Sequence, residues 1–366
     1  MRKINQEYRR DIFDTLPKGH CNHKNIAVRQ EWNSLSKHQR ADYLRAVKCL
    51  RSKPSVRRGE TLAKNRFDDF ILAHVDQTLS IHFSGLLLPW HRYFVWLYEK
   101  ALREECGYQG YQPYWDWSKY VADNQTSTIF DGSRYSFSGN GEEVPHGTIN
   151  LTVAGGAPPV SFIQRPAGTG GGCLQGGPFD NFQIHIHANN KGAGSRPKIT
   201  SRPRCLTRDF YFPILAERNS YKNVSDLILN YHDIHSFYGM VDNPPIGIHS
   251  GGHGYIGGEN LNQFTSVSDP AFYLHHGALD RVWAIWQSRD PATRQNALSG
   301  TLTWGNCMYY LRTVPSPVWL MQMAPTDPPS PNATVYDTMF VEDVGPDRPI
   351  GDVMSTTDGP LCYVYE

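Results

Sequence analysis

The sequence predicts a mainly α fold, decorated with long loops and a few short strands. Two observations carry this. Five stretches, around residues 26–50, 66–79, 89–105, 224–240 and 269–289, carry helical patterns, and all but 66–79 also carry a helix-start signal. Between them, from about 120 to 220, the chain is poor in helix signals and rich in Gly, Pro and Ser. No internal repeat of regular period breaks this reading.

Taken in order, residues 26–50 carry a helical pattern with Ser36 placed to cap its second half. In "RFDDFILAHVDQTL", residues 66–79, Phe67, Phe70, Ile71 and His74 share one face. A helix over about 89–105 follows, with Pro89 suited to its first turn. "FQIHIHA", 182–188, alternates like a strand. Residues 224–240 return to helix with Ser225 as a candidate cap, and 269–289 open with Asp269 as N-cap and Pro270 at the first helical position. The tail is irregular and Pro-rich, ending in "LCYVYE".

Bulk properties set limits. The 366 residues carry a formal charge of +1, which gives no electrostatic footprint for nucleic acid or an anionic membrane. No run of 18 apolar residues predicts a membrane span. The start, "MRKINQEYRRDIF", lacks the apolar core of a signal peptide. Seven cysteines, at 21, 49, 106, 173, 205, 307 and 362, and four sequons, at Asn124, Asn150, Asn223 and Asn332, nevertheless suggest a secreted, glycosylated chain whose signal has been removed. Three disulfides and one spare thiol fit the odd count, with connectivity open.

The histidines fall into two regions. The first offers His74, His82 and His91; the second offers His249, His253 and the pair His275 and His276. In "LLLPWHRYFVWLYEKAL", 86–102, His91 stands in an apolar, aromatic run, where it is either a core residue with one hydrogen bond or a metal ligand. His249 and His253 are four apart, so a helix would aim both rings from one face. "HSGGHG" is a poor helix by propensity, each glycine costing up to about 1 kcal/mol. It reads either as a ligand-bearing helix or as a Gly-rich loop with two surface histidines. Two sets of three imidazoles without interleaved cysteine or carboxylate suit copper, zinc, iron or nickel, copper binding most strongly.

Two motifs then identify a family. "HFSGLLLPWHRYFVWLYE", His82–Glu99, and "DPAFYLHHGALDR", Asp269–Arg281, resemble the signatures of the type-3 copper proteins: tyrosinases, catechol oxidases and haemocyanins. "VRQEW", Val28–Trp32, and "YVY", Tyr363–Tyr365, resemble further family wording, so the likeness spans one catalytic domain, 1–366. Its copper regions fall at about 66–105 and 245–289. The form resembles short fungal polyphenol oxidases without a C-terminal shielding domain. The resemblance implies a four-helix-bundle-like core holding two copper ions and using dioxygen as co-substrate. His74, His82 and His91 would bind the first copper and His249, His253 and His276 the second, with His275 a neighbour. Phe272 would pack above the ligand rings, and Asp280 and Arg281 would orient a ligand ring or act structurally. His185, His187 and the remaining histidines take no part.

The implied reaction is oxidation of catechols, small phenolic substrates, to o-quinones. The alternatives are a tyrosinase that also hydroxylates monophenols and a haemocyanin-like oxygen carrier. Members with strong monophenolase activity often carry asparagine after the first ligand of the second copper, with a nearby glutamate. Here that position is Ser250, no glutamate lies between 219 and 258, and Asp242 is the nearest upstream acid. Gly254 follows the next ligand, leaving space without a side-chain base and room for ortho-substituted phenols. Ser80 stands where many fungal members place a cysteine bonded to the second ligand, so that thioether is absent; Leu87 replaces a usual phenylalanine.

Overall fold

The computed structural model describes residues 1–16, 19–59, 61–122, 128–152, 161–189, 198–242, 247–303 and 330–366. The helices are α1 (Arg2–Thr15), α2 (Lys37–Leu50), α3 (Arg66–Ile81), α4 (Leu87–Cys106), α5 (Trp117–Ala122), α6 (Phe212–Arg218), α7 (Tyr221–Asn230), α8 (Ile234–Val241), α9 (Ile248–Ile256), α10 (Ala271–Ser288) and α11 (Pro291–Arg294). Between them lie β1 (Ala27–Arg29), β2 (Gly141–Glu143), β3 (Ile149–Thr152), β4 (Ser161–Arg165), β5 (Gly171–Leu174), β6 (Gln183–Asn189), β7 (Lys198–Cys205), β8 (Thr338–Met339), β9 (Arg348–Pro349) and β10 (Tyr363–Tyr365). The fold is mainly helical, as the sequence predicts, and the strands pair only two at a time.

Local chemistry sets the helix ends. Ser36 and Gln39 form a reciprocal capping box on α2. Asn65 accepts the Asp68 amide at the start of α3. α4 stops at Gly107, which takes φ 64°, a left-handed value that costs glycine little. α10 begins one residue later than predicted, with Pro270 rather than Asp269 at its N-cap position, and the Asp269 carboxylate accepts the Ala271 amide at 2.9 Å.

Two further expectations are corrected. Residues 26–35 do not continue α2 toward the N-terminus. Ala27, Val28 and Arg29 instead pair in parallel with Tyr363, Val364 and Tyr365, so a long-range ladder overrides local helical spacing. The 224–240 helix is two helices, α7 and α8, broken at 231–233. Ser220 caps α7 and Asp233 caps α8, while the Ser225 hydroxyl bonds back to the Tyr221 carbonyl inside the helix.

The core sits among α3, α4, α9 and α10, with Trp90, Trp283 and Trp286 at most 1% exposed. Side chains of that size each bury roughly 150–250 Å², an upper bound of about 4–6 kcal/mol of transfer free energy. Tyr98 and Tyr273 stack across α4 and α10 with ring centres 3.4 Å apart. Disulfides join Cys21 to Cys362, Cys49 to Cys106 and Cys173 to Cys205. Cys307 and the Asn124 sequon lie outside the described residues. Among the described residues no helix is long and apolar enough to cross a membrane.

The four family-like segments meet at one buried point. Arg29 of β1 lies 2.9 Å from Glu99 of α4 and stacks on the Tyr363 ring at 3.6 Å. Asp280 of α10 receives Arg92 Nε at 2.5 Å and the Tyr363 and Tyr365 hydroxyls at 2.6 Å each. Asp280 therefore does not orient a histidine ring. It is an ionic hub clamping α4, α10 and β10 one residue past His91 and four past His276. Arg281 is structural: it donates to Asn5 and lies over the Tyr114 ring.

Candidate metal centre

His74 projects from α3, His82 lies just past its end and His91 sits near the start of α4. Each Nδ1 is held by a backbone carbonyl: His74 by Phe264 at 2.9 Å, His82 by Thr78 at 3.0 Å, His91 by Leu87 at 2.8 Å. A carbonyl oxygen only accepts, so the ring proton resides on Nδ1 and leaves a lone pair on Nε2. The metal-binding atoms of these three residues lie within 4.8 Å of one another.

The second group comes from α9 and α10. His249 and His253, one helical turn apart, place their Nε2 atoms 3.1 Å from each other. His249 Nδ1 donates to Asp242 at 2.8 Å, and His253 Nδ1 faces the Asn260 side-chain oxygen at 2.7 Å. His276 joins this group from α10. His275 lies within the same 4.8 Å cluster. Its Nδ1, however, accepts the Trp117 indole N–H at 3.1 Å. That forces the neutral ring's proton onto Nε2 and removes the lone pair a metal would need.

The two groups face each other. The His82 and His249 rings lie 6.0 Å apart and within 6° of parallel, and His91 stacks on His276 at 4.2 Å. Phe272, fully buried, touches both sides, with its ring 4.1 Å from His276, 5.2 Å from His74 and 6.0 Å from His253. His253 is the most exposed of the six rings, so the site opens on its side.

The donor set fits a nitrogen-binding metal. His74, His91 and His276 each bury an Nε2 that has no hydrogen-bond partner, an arrangement costly unless something else binds there; His275 buries an unpartnered Nε2 as well, and its Trp117 contact is what sets it apart. Burial first, and for most rings the neighbouring imidazoles next, push the histidine pKa values down, to about 3 for His82, His249 and His253. The rings are therefore neutral, the state in which imidazole ligates.

The glycines that make "HSGGHG" a poor helix have a packing reason. A Cβ on Gly251 would strike the Asn219 side chain, and one on Gly252 would strike the His275 ring. At Gly254 it would meet Ile214 Cδ1 at 2.6 Å, so α6 fills the space expected to lie open there. The Ser250 hydroxyl lies 3.0 Å from both Arg218 Nη1 and the Gly247 carbonyl. His185, predicted to take no part, bonds the Leu62 carbonyl and lies by Asp68.

Sequence reasoning did not foresee what holds the rings: the Phe264, Thr78 and Leu87 carbonyls, the Asn260 and Trp117 side chains, and Asp242, which it named only as the nearest upstream acid. Only Asp242 carried a signal, as an acid in an apolar stretch shortly before His249.

Two facing groups of neutral imidazoles, three in one and four in the other, make a site of the kind that holds transition-metal ions. The common central domain of tyrosinase matches residues 64–289, and the chain belongs to the tyrosinase family. It is 40% identical over 322 residues to the tyrosinase-like protein orsC of Emericella nidulans, covering 84% of this chain and 86% of that one. It is 36% identical over 350 residues to tyrosinase P of Aspergillus terreus, covering 92% and 91%. It is also similar to the N-acetyl-6-hydroxytryptophan oxidase ivoB of Emericella nidulans, 34% identical over 372 residues, with 94% of each covered. Among solved structures, a mutant polyphenol oxidase from Thermothelomyces thermophila shares a TM-score of 0.83 and 38% identity over 100% of this chain and 97% of that one. The family fold implies a binuclear copper centre and a copper oxidase activity of the tyrosinase and polyphenol oxidase type.

Proposed function

We propose that the chain oxidises catechols to o-quinones with dioxygen at two copper ions. His74, His82 and His91 hold one ion, and His249, His253 and His276 hold the other. The observation that carries this is the shared tautomer: five of the six proposed ligands, His74, His82, His91, His249 and His253, are pinned as donors through Nδ1, whereas His275 is pinned the opposite way.

When bound, copper supplies reversible one-electron chemistry and a place for dioxygen. The chain's own residues do the rest. The half-buried His253 ring offers a flat surface on the open side against which a phenolic ring can stack. Phe272 shields the inner side from water. The carboxylate nearest the second group, Asp242, is engaged by His249, Phe83 and Tyr238. The Ser250 hydroxyl is engaged by Arg218. Neither is placed to take a proton from an incoming monophenol, which favours a catechol, whose second hydroxyl is already present.

Our reading also takes the chain as one catalytic domain, secreted and glycosylated. The three disulfides and the exposed Asn332 sequon support this.

The test is oxygen uptake by copper-loaded protein given a simple catechol, with the matching monophenol as a parallel trace. Uptake with catechol alone supports the proposal. Comparable initial uptake with the monophenol would replace it with a tyrosinase. Oxygen binding fully released on degassing, without turnover, would replace it with a carrier.

A further inference from the structure

We propose that Asp242 is a positioning residue that couples the two histidine groups, because one carboxylate serves as acceptor to both. This rests on the reading that the groups hold metal. Asp242 lies at the end of α8 and is 3% exposed. One oxygen, Oδ1, accepts His249 Nδ1–H at 2.8 Å. The other, Oδ2, accepts the backbone N–H of Phe83 at 2.9 Å, the residue directly after His82.

Phe83 takes φ 49°, a left-handed conformation that a bulky side chain rarely adopts and that persists only when its surroundings hold it. That turn lets the chain leave α3 while His82 points its ring inward. The Tyr238 hydroxyl secures the same turn, lying 3.1 Å from Asp242 Oδ2 and 2.5 Å from the Ser84 carbonyl. Asp242 thus fixes a ring of the second group and the backbone behind a ring of the first. Those two rings, His82 and His249, are the parallel pair 6.0 Å apart.

The geometry needs a carboxylate and not merely a polar group. Both partners donate, and a carboxyl group offers an accepting oxygen to each, which an amide cannot. In Asp242→Asn the amide has one accepting oxygen. If it faces His249, the NH₂ confronts the Phe83 N–H and the strained turn loses that hydrogen bond. If it faces Phe83, the NH₂ donates to His249 Nδ1, drives the ring proton to Nε2 and removes the ligating lone pair. Either orientation damages one group.

The experiment uses ¹⁵N-labelled protein without metal, so its outcome does not depend on oxidase activity. A long-range imidazole correlation spectrum reads the tautomer of His249, and the Phe83 amide is followed by hydrogen exchange. The wild type is expected to show His249 protonated at Nδ1 and a protected Phe83 amide. D242N is expected to lose one or the other, and copper titration without substrate should show at least one equivalent bound about 10–100-fold more weakly. Wild-type His249 protonated at Nε2 would overturn the proposal even if D242N does not fold. A folded D242N with unchanged tautomer, amide protection and affinity for both equivalents would also overturn it.

Discussion

Asp280→Asn tests whether the ionic hub behind the metal centre stabilises the fold. The substitution keeps volume and one carbonyl oxygen but removes the charge facing Arg92 Nε at 2.5 Å and Arg29 at 3.5 Å. Both arginines are fully buried, and among the described residues Glu99 is the other carboxylate on Arg29. Breaking a buried pair from one side costs about 3–5 kcal/mol. The lower end applies, because the Tyr363 and Tyr365 hydroxyls can rotate to donate to the remaining oxygen. Unfolding entropy near 2.1 cal/mol/K per residue, over 366 residues, makes about 3 kcal/mol worth a fall of ~4 °C in Tm. Thermal unfolding of metal-free protein under non-reducing conditions measures it. Arg92→Met should cost a similar amount, and the double variant should cost clearly less than their sum, since the pair is lost once. A fall in Tm below about 1 °C, or strict additivity, would refute the reasoning.

Further outcomes follow from the same contacts. Burial alone would raise the Asp280 pKa, but Arg92, Arg29 and the two tyrosine hydroxyls outweigh it and hold it below the usual value. Its stabilisation is therefore present above the unfolded pKa near 3.9 and is lost as pH falls through the folded one. The stability gap between wild type and D280N should close in acid below about pH 3.9, and a gap that widens there would contradict the assignment. In α9, Gly252→Ala should destabilise by about 1–2 kcal/mol in denaturant titration, because overpacking against the buried His275 ring outweighs the gain in helix propensity. Gly254→Ala, which meets only the tip of Ile214, should be within about 1 kcal/mol of wild type, and the reverse order would show the packing account to be wrong. Replacing Cys21 and Cys362 by serine opens a link spanning 341 residues of sequence and should cost about 2–5 kcal/mol, measured the same way.

Much of this centre was legible in the sequence because metal ligands are tied to rigid local spacing. His249 and His253 sit one turn apart, and the helix they predicted formed despite three glycines. What the sequence hid was set by distant chain. The helical spacing before Ser36 gave way to a strand because β10, more than three hundred residues later, pairs with it. The role of Asp280 was hidden for the same reason: its partners come from α4 and the chain's last residues, not from its own helix. The acceptors behind His74 and His253 are a Phe264 carbonyl and an Asn260 side chain, whose residue types carry no ligand signal. The space expected at Gly254 was taken by Ile214, a contact that sequence spacing cannot show.

The most direct test of the central claim is metal stoichiometry. Copper-reconstituted wild type should hold two copper ions per chain, while His91→Ala and His276→Ala should each retain about one. A single ion in the wild type, or a variant in either group that leaves both ions bound, would contradict two facing three-histidine sites.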